Sequence, residues 1–298
     1  SSSSSASSSS ASNTGGGNCT LTGESYTATD EEDRILGGGG VVVDVHALEY
    51  GTELGSGNYS RVFKGRLFQE FSVAIKVLDV VKIDATTINV FFQEVALLQR
   101  LKHPNIVSLI GGCVSPPEFS IVTELCLEGS LADIIDKGDW TFSYDGILDI
   151  ALSLANGLRY MHSCEVLHRD LKSQNVLFSP LGVPKICDFG LSSHPGLAKT
   201  GPTFCGTLAY MAPEVMRKEA AGKAADVFSY GVILWELVVG RIAWKKEQGR
   251  MSVARVIAKV GKEGMRLPLG ATLRAQYPGF TQLIRDCWKH RFRDRPDF

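Results

Sequence analysis

Between residues 49 and 124 the chain contains short runs in which apolar and polar residues alternate. A period of two is typical of strands with one buried face, so these runs predict β-strands separated by turns. The predicted strands are residues 49–55, 61–67, 72–78, 106–110 and 119–124. A helix is predicted over residues 87–101, and one of its faces carries Phe91, Glu94, Leu98 and Leu101.

Beyond Gly129 the apolar spacing becomes mainly helical. In the helix predicted over residues 147–162, the expected buried stripe consists of Leu148, Ala151, Leu152, Ala155, Leu158 and Met161. Residues 227–239 are more apolar still, but they are too few to span a bilayer and include Glu236, so they predict a buried core helix. A strand-rich part followed by a helical part predicts an α+β chain of two lobes, with its site between them.

The first 45 residues have a different composition, dominated in their first forty by Ser, Gly, Ala and Thr. Such a segment buries too little apolar surface to offset the entropy of ordering, so we predict that residues 1–45 are a disordered linker. The chain begins with Ser1 rather than Met, which indicates a fragment whose upstream anchor or targeting signal would not be visible. Within the fragment itself no membrane association is indicated.

Charge and cysteine content narrow the classes of partner and compartment. The formal net charge is -1, which gives no electrostatic reason to expect a nucleic acid as partner. The seven cysteines are an odd number, are scattered and include no CxxC pair, which favours a reduced, cytoplasmic setting over a disulfide framework or a zinc site.

A glycine-containing turn lies between the first two predicted strands. Gly55 and Gly57 flank Ser56 there, and glycines let the backbone present its N–H groups closely to phosphate oxygens. A lone GxG is most often an ordinary turn. The position between two strands, rather than between a strand and a helix, argues against a dinucleotide-binding unit.

Two charged residues fall among apolar neighbours. Lys76 ends the strand sequence Val-Ala-Ile-Lys, and Glu94 lies within the apolar stripe of the predicted helix. A carboxylate in such a stripe is costly unless it is paired, and Lys76 is the natural cation. We therefore predict an ion pair that leaves the ammonium aimed at a phosphate; the alternative for Lys76 alone is an exposed strand edge.

Residues 168–175 read His-Arg-Asp-Leu-Lys-Ser-Gln-Asn, and Asp188-Phe189-Gly190 follows thirteen residues later. Asp170 is suited to orienting a hydroxyl and accepting its proton, and Lys172 to neutralising phosphoryl charge. The Asn175 amide and the Asp188 carboxylate are oxygen ligands suited to magnesium bridged by ATP phosphates. Four such motifs in this order predict phosphoryl transfer from ATP.

These motifs resemble the signature set of the protein kinase superfamily over residues 48–298. Further matches are Ala212-Pro213-Glu214, the segment from Asp226 to Gly231, and Arg295, which the resemblance pairs with Glu214. The resemblance implies a small β-rich N-lobe with one regulatory helix (46–124), a hinge (125–129) and a larger helical C-lobe (130–298). It also implies that the chain stops before the family's last helix, and that Asp226 holds the catalytic-loop backbone.

Within the superfamily, Lys172 and the Gly206-Thr207 pair resemble the serine/threonine type. The segment 168–173, the strand 121–124 and the turn 129–131 resemble the tyrosine-kinase-like group, with Raf and mixed-lineage kinases nearest. The implied function is transfer of the ATP γ-phosphoryl group to Ser or Thr of proteins in signalling. Rival interpretations are a pseudokinase scaffold, a dual-specificity or tyrosine kinase, and a nucleotide-sensing module.

The resemblance also assigns roles residue by residue. Thr123 matches the gatekeeper, and Glu124 to Cys126 match the hinge that binds adenine through its backbone. The residues expected to enclose the base are Leu54, Val62, Ala74 and Leu177, with plain core packing as the alternative. Because Arg169 precedes Asp170, a phosphate in the loop before Glu214 is expected to pair with it. The candidate phosphorylation sites are Thr203, Thr200 and Ser193.

Overall fold

The computed structural model describes residues 19–21, 24–26, 42–57, 60–78, 85–113, 119–138, 142–190, 207–219, 222–245 and 251–298. Strands β1 (Cys19–Leu21) and β2 (Glu24–Tyr26) pair antiparallel inside the segment predicted to be a linker. The composition of that segment did not predict this pair. Its remaining residues before Val42 lie outside the described part of the chain.

The N-terminal lobe is built on a five-stranded antiparallel sheet. Its strands are β3 (Leu48–Ser56), β4 (Ser60–Leu67), β5 (Phe71–Leu78), β6 (Leu109–Cys113) and β7 (Ser120–Glu124), in the order β3-β4-β5-β7-β6. Alternation along β5 places Val73 and Ile75 on one face, where they are fully buried. Ala74 and Lys76 therefore lie on the opposite face, and helix α1 (Ala85–Arg100) supplies Glu94 to Lys76 on that side.

The segment before the sheet closes its outer face. Val43 is buried beside Val73 and Val122, and its N–H donates to the carbonyl of Gly112 over 3.0 Å. Val42 forms a parallel bridge with the same glycine. The packed part of this lobe therefore starts by Val42, a few residues before the predicted boundary at residue 46.

The fourth predicted strand, residues 106–110, is wrong by three positions, because β6 spans Leu109–Cys113. Ile106 instead bridges Ile186 of the other lobe, and the Val107 N–H donates to the Ile186 carbonyl over 2.9 Å. The apolar character of residues 106 and 107 thus reflects contact between the lobes. Gly111 and Gly112, which weaken a strand pattern, concealed the true one.

The C-terminal lobe is mainly helical. Its helices are α2 (Leu131–Lys137), α3 (Tyr144–Ser163), α4 (Pro213–Met216), α5 (Lys223–Val239), α6 (Val253–Val256), α7 (Ala271–Gln276) and α8 (Pro278–Cys287). A π-helical stretch, Ile257–Lys262, follows α6, and strands β8 (Val176–Phe178) and β9 (Pro184–Ile186) form a hairpin. Ser130 begins α2 with a capping box, and Gly138 ends it in the left-handed conformation.

Helix α5 is the buried axis of this lobe, as its sequence predicts, since residues 226–238 are all buried. The predicted stripe of α3 is partly wrong. Leu152 is 53% exposed, whereas Ile147, Ile150 and Leu154 are buried with Leu158 and Met161. The apolar arc of α3 is wider than one face, and packing against α5 and β9 selected the side that carries Leu154. Among the described residues, none of the helices is both long and apolar enough to cross a membrane.

Candidate active site

One face of the N-lobe sheet collects the residues expected around a nucleotide. Val62 pairs with Lys76 across β4 and β5, and Ala74 pairs with Thr123 across β5 and β7. Residues paired in an antiparallel sheet project from the same face. These four side chains therefore share the face opposite Val73, and all are partly exposed. This is the arrangement predicted for the upper wall of a base-binding cleft.

The glycine turn lies at the end of that face. Gly55 pairs with Val62, and the Gly57 N–H donates to the Ser60 carbonyl over 2.7 Å. Within the described residues, a Cβ added at Gly55 would meet no atom within 4 Å, so packing alone does not require this glycine. Leu54 occupies the irregular position between paired residues of β3 and is 49% exposed. Residues 58 and 59, within the turn, lie outside the described part.

The predicted ion pair is present and includes a third group. Lys76 Nζ lies 2.7 Å and 2.9 Å from the two carboxylate oxygens of Glu94, and 3.2 Å from Asp188 Oδ1. Burial lowers the pKa of Lys76, but the two carboxylates outweigh burial and raise it overall. The pKa of Asp188 is lowered, chiefly by the charge of Lys76. These two shifts keep Lys76 and Asp188 in their charged forms, and the ammonium bridges α1 to the segment after β9.

The catalytic-loop candidates also converge. Lys172 Nζ lies 2.6 Å from Asp170 Oδ2, and Asn175 Nδ2 donates to the Asp170 carbonyl over 2.8 Å. The other carboxylate oxygen of Asp170, Oδ1, is buried and has no hydrogen-bond partner among the residues that the structure describes. A buried acceptor without a partner is costly, and it suits a site that takes a hydroxyl donor. Phe189 packs on His168 at a ring-centroid distance of 5.5 Å.

A backbone contact joins these two clusters. The Cys187 N–H donates to the Asn175 carbonyl over 3.0 Å, immediately before Asp188. Direct contacts therefore run from Glu94 through Lys76 and Asp188 to the loop of Asp170. Residues that are 112 positions apart in sequence therefore meet at one cleft between the lobes.

Asp226, at the start of α5, holds the catalytic loop as predicted. Its carboxylate accepts hydrogen bonds from the backbone N–H groups of His168 and Arg169, each at 2.9 Å, and lies 2.9 Å from His162 Nε2. Burial raises the pKa of Asp226, but the contact with His162 and the other donors outweighs it, so the pKa is lowered overall. Arg169 has a φ of 66°, an unusual conformation for a non-glycine residue that this anchor maintains.

The hinge residue Glu124 is held by a contact that the sequence did not reveal. Its Oε1 accepts from the Ser108 N–H and from Lys185 Nζ, both at 2.8 Å. Lys185 lies on β9, so this ion pair ties the hinge to the C-lobe. The Glu124 side chain is therefore engaged by these two groups. Its backbone is left for adenine binding, the role that the resemblance implies. Cys126, two residues on, has its pKa raised to about 11 by burial.

Leu177, another residue expected to enclose the base, lies in the C-lobe. It lies on β8, is partly exposed, and bridges Ser130, the residue that begins α2 just beyond the hinge.

The predicted pair of Glu214 and Arg295 is present deeper in the C-lobe, with oxygen–nitrogen distances of 2.7 Å and 2.8 Å.

Some predicted residues cannot be placed. Thr203, Thr200 and Ser193 lie outside the described residues, and the side chain of Thr207 does as well. His162 was missed by the sequence reasoning, although a histidine among the apolar residues of α3 signals a buried partner.

Within the described residues, no group of three or more His, Cys, Asp or Glu side chains is suited to hold a metal ion. Asn175 and Asp188 offer an amide oxygen and a carboxylate oxygen, and Asp188 also contacts Lys76. Magnesium is commonly held by one or two carboxylates together with substrate phosphates, so this donor set fits Mg²⁺ bound with ATP.

Comparisons with known proteins agree with this geometry. The protein kinase domain family model matches residues 48–298. Serine/threonine-protein kinase STY46 of Arabidopsis thaliana is 32% identical over 86% of the chain, and mitogen-activated protein kinase kinase kinase 12 of Rattus norvegicus is 35% identical over 82%. Serine/threonine/tyrosine-protein kinase HT1 of Arabidopsis thaliana is 34% identical over 86%. The matches cover 43%, 26% and 65% of these relatives, so the chain spans less than two thirds of each.

Proposed function

The chain belongs to the protein kinase family, and on that premise we propose that it transfers the γ-phosphoryl group of ATP to serine and threonine hydroxyls of proteins. The relatives confirm the resemblance to the tyrosine-kinase-like type of serine/threonine kinase. Because the chain covers only part of each relative, the activity of the whole protein, its substrates and its role in signalling belong to the proposal.

One observation supports this function above the others. The Lys76 ammonium and the oxygens of Asp170, Asn175 and Asp188 belong to a single network of contacts in one cleft, in which no described residue hydrogen-bonds to Asp170 Oδ1. A pseudokinase that has lost catalysis usually lacks one of the charged groups. Here all of them are present and their mutual distances suit the chemistry.

The residues divide the work of phosphoryl transfer. Lys76, fixed by Glu94, would bind the α- and β-phosphates, and Asn175 and Asp188 would hold magnesium, which neutralises phosphate charge when bound. Asp170 would accept the proton of the substrate hydroxyl at Oδ1, while Lys172 would neutralise the charge of the transferring group.

The hinge backbone from Glu124 to Cys126 would bind adenine. The apolar side chains that would enclose the base are Leu54, Val62, Ala74, Thr123 and Leu177, with Gly55 and Gly57 over the phosphates.

Specificity for Ser and Thr is supported by Lys172, the lysine two residues after Asp170 that resembles the serine/threonine type, which lies 2.6 Å from Asp170. Dual specificity toward tyrosine is the second candidate, and it is favoured by the name of the relative HT1. Incubation of the chain with Mg-ATP and a library of Ser, Thr and Tyr peptides, with sites identified by mass spectrometry, separates them. Phosphoserine and phosphothreonine support the proposal, whereas products confined to phosphotyrosine, or ATP binding without any transfer, contradict it.

Phosphorylation of Thr203 is expected to activate the enzyme, because Arg169 beside Asp170 has its pKa lowered by burial and gains from an added anion. The kcat/KM of Thr203→Ala for a peptide is expected to be about tenfold lower than that of wild type phosphorylated on Thr203. Thr200 and Ser193 are the next candidates. Steady-state kinetics with site occupancy measured by mass spectrometry checks this, with Thr272→Ala on exposed α7 as control. Equal activity of Thr203→Ala and phosphorylated wild type would exclude Thr203.

A further inference from the structure

A second set of buried polar side chains lies beneath the active site and has no role in the scheme above. Ser173 Oγ lies 2.9 Å from the Tyr210 hydroxyl, and that hydroxyl donates to Glu236 Oε1 over 2.7 Å. Ser173 and Glu236 have no exposed surface, and Tyr210 is 3% exposed. These three polar groups therefore form a chain of two hydrogen bonds within the apolar core of the C-lobe.

The three residues come from three segments that must be aligned for transfer. Ser173 directly follows Lys172 in the catalytic loop, Tyr210 ends the 3₁₀ turn Thr207–Tyr210, and Glu236 lies on α5. Asp226, on the same helix, already binds the backbone at the start of the catalytic loop. Helix α5 thus holds that loop at two points, directly through Asp226 and through Tyr210 from Glu236.

The protons that each group carries determine which group donates and which accepts in these hydrogen bonds. Glu236 Oε1 also accepts from the Ala243 N–H over 2.8 Å, so it acts as an acceptor twice. Tyr210 has a single hydroxyl proton and gives it to Glu236. Ser173 must therefore donate its own proton to the Tyr210 oxygen. The result is a directed relay, and relays of this kind strengthen cooperatively when the final acceptor becomes charged.

Glu236 is poised between its two charge states. In the described part of the chain, no residue hydrogen-bonds to its buried Oε2. Burial raises the pKa of Glu236 to about 7, against the opposing contributions of Ala243, Tyr210 and Ser173. Tyr210 is the titratable group facing it from the 207–210 turn, and burial raises the pKa of that phenol so far that it stays neutral. In the described part of the catalytic loop, of α5 and of the turn at Ala243, Glu236 makes no ion pair.

We propose that Glu236 is a positioning residue whose ionisation, relayed through Tyr210 to Ser173, sets how firmly the catalytic loop and the 207–210 turn are held together. An ionised carboxylate accepts a stronger hydrogen bond from Tyr210, which in turn makes the tyrosine oxygen a better acceptor for Ser173. The ionised form is the one that aligns Lys172 and Asp170. The kinetic part of this inference rests on the proposed kinase function, whereas the ionisation itself does not.

The ionisation is measured independently of activity by thermal unfolding. Because the pKa is raised in the folded state from 4.5 to about 7, the proton on Glu236 stabilises the fold fully below the lower value. That stabilisation is lost as the pH rises through the upper value. Between pH 5 and pH 8, the Tm of wild type is expected to fall relative to that of Glu236→Gln by about 5 °C. Glu263→Gln, at an exposed site on the same lobe, is expected to follow wild type.

The relay is measured by kinetics. Tyr210→Phe removes both hydrogen bonds and is expected to lower kcat/KM for a peptide by about tenfold, with the KM for ATP unchanged. Tyr144→Phe, at a half-exposed tyrosine on α3, is the control and is expected to match wild type. The ratio of wild-type to Glu236→Gln kcat/KM is expected to rise about threefold between pH 6 and pH 8. Because this ratio cancels every titration that the two proteins share, including that of ATP, a merely structural role would leave it flat.

The possible outcomes distinguish the proposed function, the ionisation of Glu236 and the relay through Tyr210. Absence of phosphoryl transfer by wild type, with the pH-dependent Tm difference present, overturns the proposed function and leaves the ionisation of Glu236 standing. A Tm difference that stays constant between pH 5 and pH 8 overturns the ionisation. A flat kinetic ratio, or a Tyr210→Phe variant that behaves like Tyr144→Phe, overturns the relay.

Discussion

Replacement of Asp170 by Asn is expected to lower kcat for peptide phosphorylation by about 10³-fold while changing the KM for Mg-ATP by less than about twofold. The amide keeps the shape of the carboxyl but accepts no proton, and it leaves the ammonium of Lys172 without its partner at 2.6 Å. The contacts of Lys76 and Asp188, which are expected to bind the nucleotide, do not involve Asp170. Steady-state kinetics with separate ATP and peptide titrations measures both effects.

The matched control for this variant is Asp149→Asn, which makes the same change at an exposed position of α3. Its kcat is expected to equal that of wild type. If Asp170→Asn retained wild-type kcat, Asp170 would not be the proton acceptor. If it lost ATP binding as well, the separation between nucleotide and acceptor sites would be wrong.

The second large effect concerns stability. Arg295→Met is expected to lower the free energy of unfolding by about 3–5 kcal/mol, because it leaves the Glu214 carboxylate buried without its cation. The two side chains are 0% and 1% exposed and are joined by two hydrogen bonds. Arg295 also donates to the Ala224 carbonyl just after the start of α5. The variant therefore also loses a hydrogen bond to the helix that anchors the catalytic loop. Denaturant unfolding gives the free energy directly.

Two further variants test the reason for that loss. Arg293→Met removes an exposed arginine two residues away and is expected to change stability by less than about 0.5 kcal/mol. The double variant Glu214→Leu with Arg295→Met removes both charges, and it is expected to recover most of the stability lost in the single variant. A double variant as unstable as Arg295→Met alone would show that packing of the arginine, rather than the unpaired charge, is the cause.

The contacts of the candidate site were predictable because the residues that make them lie in short local motifs. The ion pair of Lys76 and Glu94 follows from two facts: Glu94 lies in an apolar stripe, and a buried carboxylate needs a cation. Glu236 also lies among apolar residues, on α5, but no cation of the described residues pairs with it. Its Oε1 instead accepts hydrogen bonds from a tyrosine hydroxyl and a backbone N–H contributed by other segments.

What the sequence concealed depends on contacts between distant segments. Lys185 has the pattern of an ordinary charged residue on β9, yet it binds Glu124, 61 positions away in sequence. Ile106 and Val107 resemble a strand, but their partner is Ile186 in the other lobe. On α3, Leu152 and Leu154 are equally apolar, and only the packing of neighbouring elements decides that Leu154 is buried. Local pattern predicts element type well and the choice of partner poorly.

Binding of ATP to the cleft, followed by hydrogen–deuterium exchange, tests the central claim most directly. In the presence of Mg²⁺, saturating ATP is expected to protect the backbone of residues 54–57, 123–126 and 187–190 together, since they contribute to one site in two lobes. Asp188→Asn is expected to abolish the dependence of this protection on Mg²⁺. Protection confined to one lobe, or unchanged by Asp188→Asn, would contradict the convergence of these side chains on a single triphosphate.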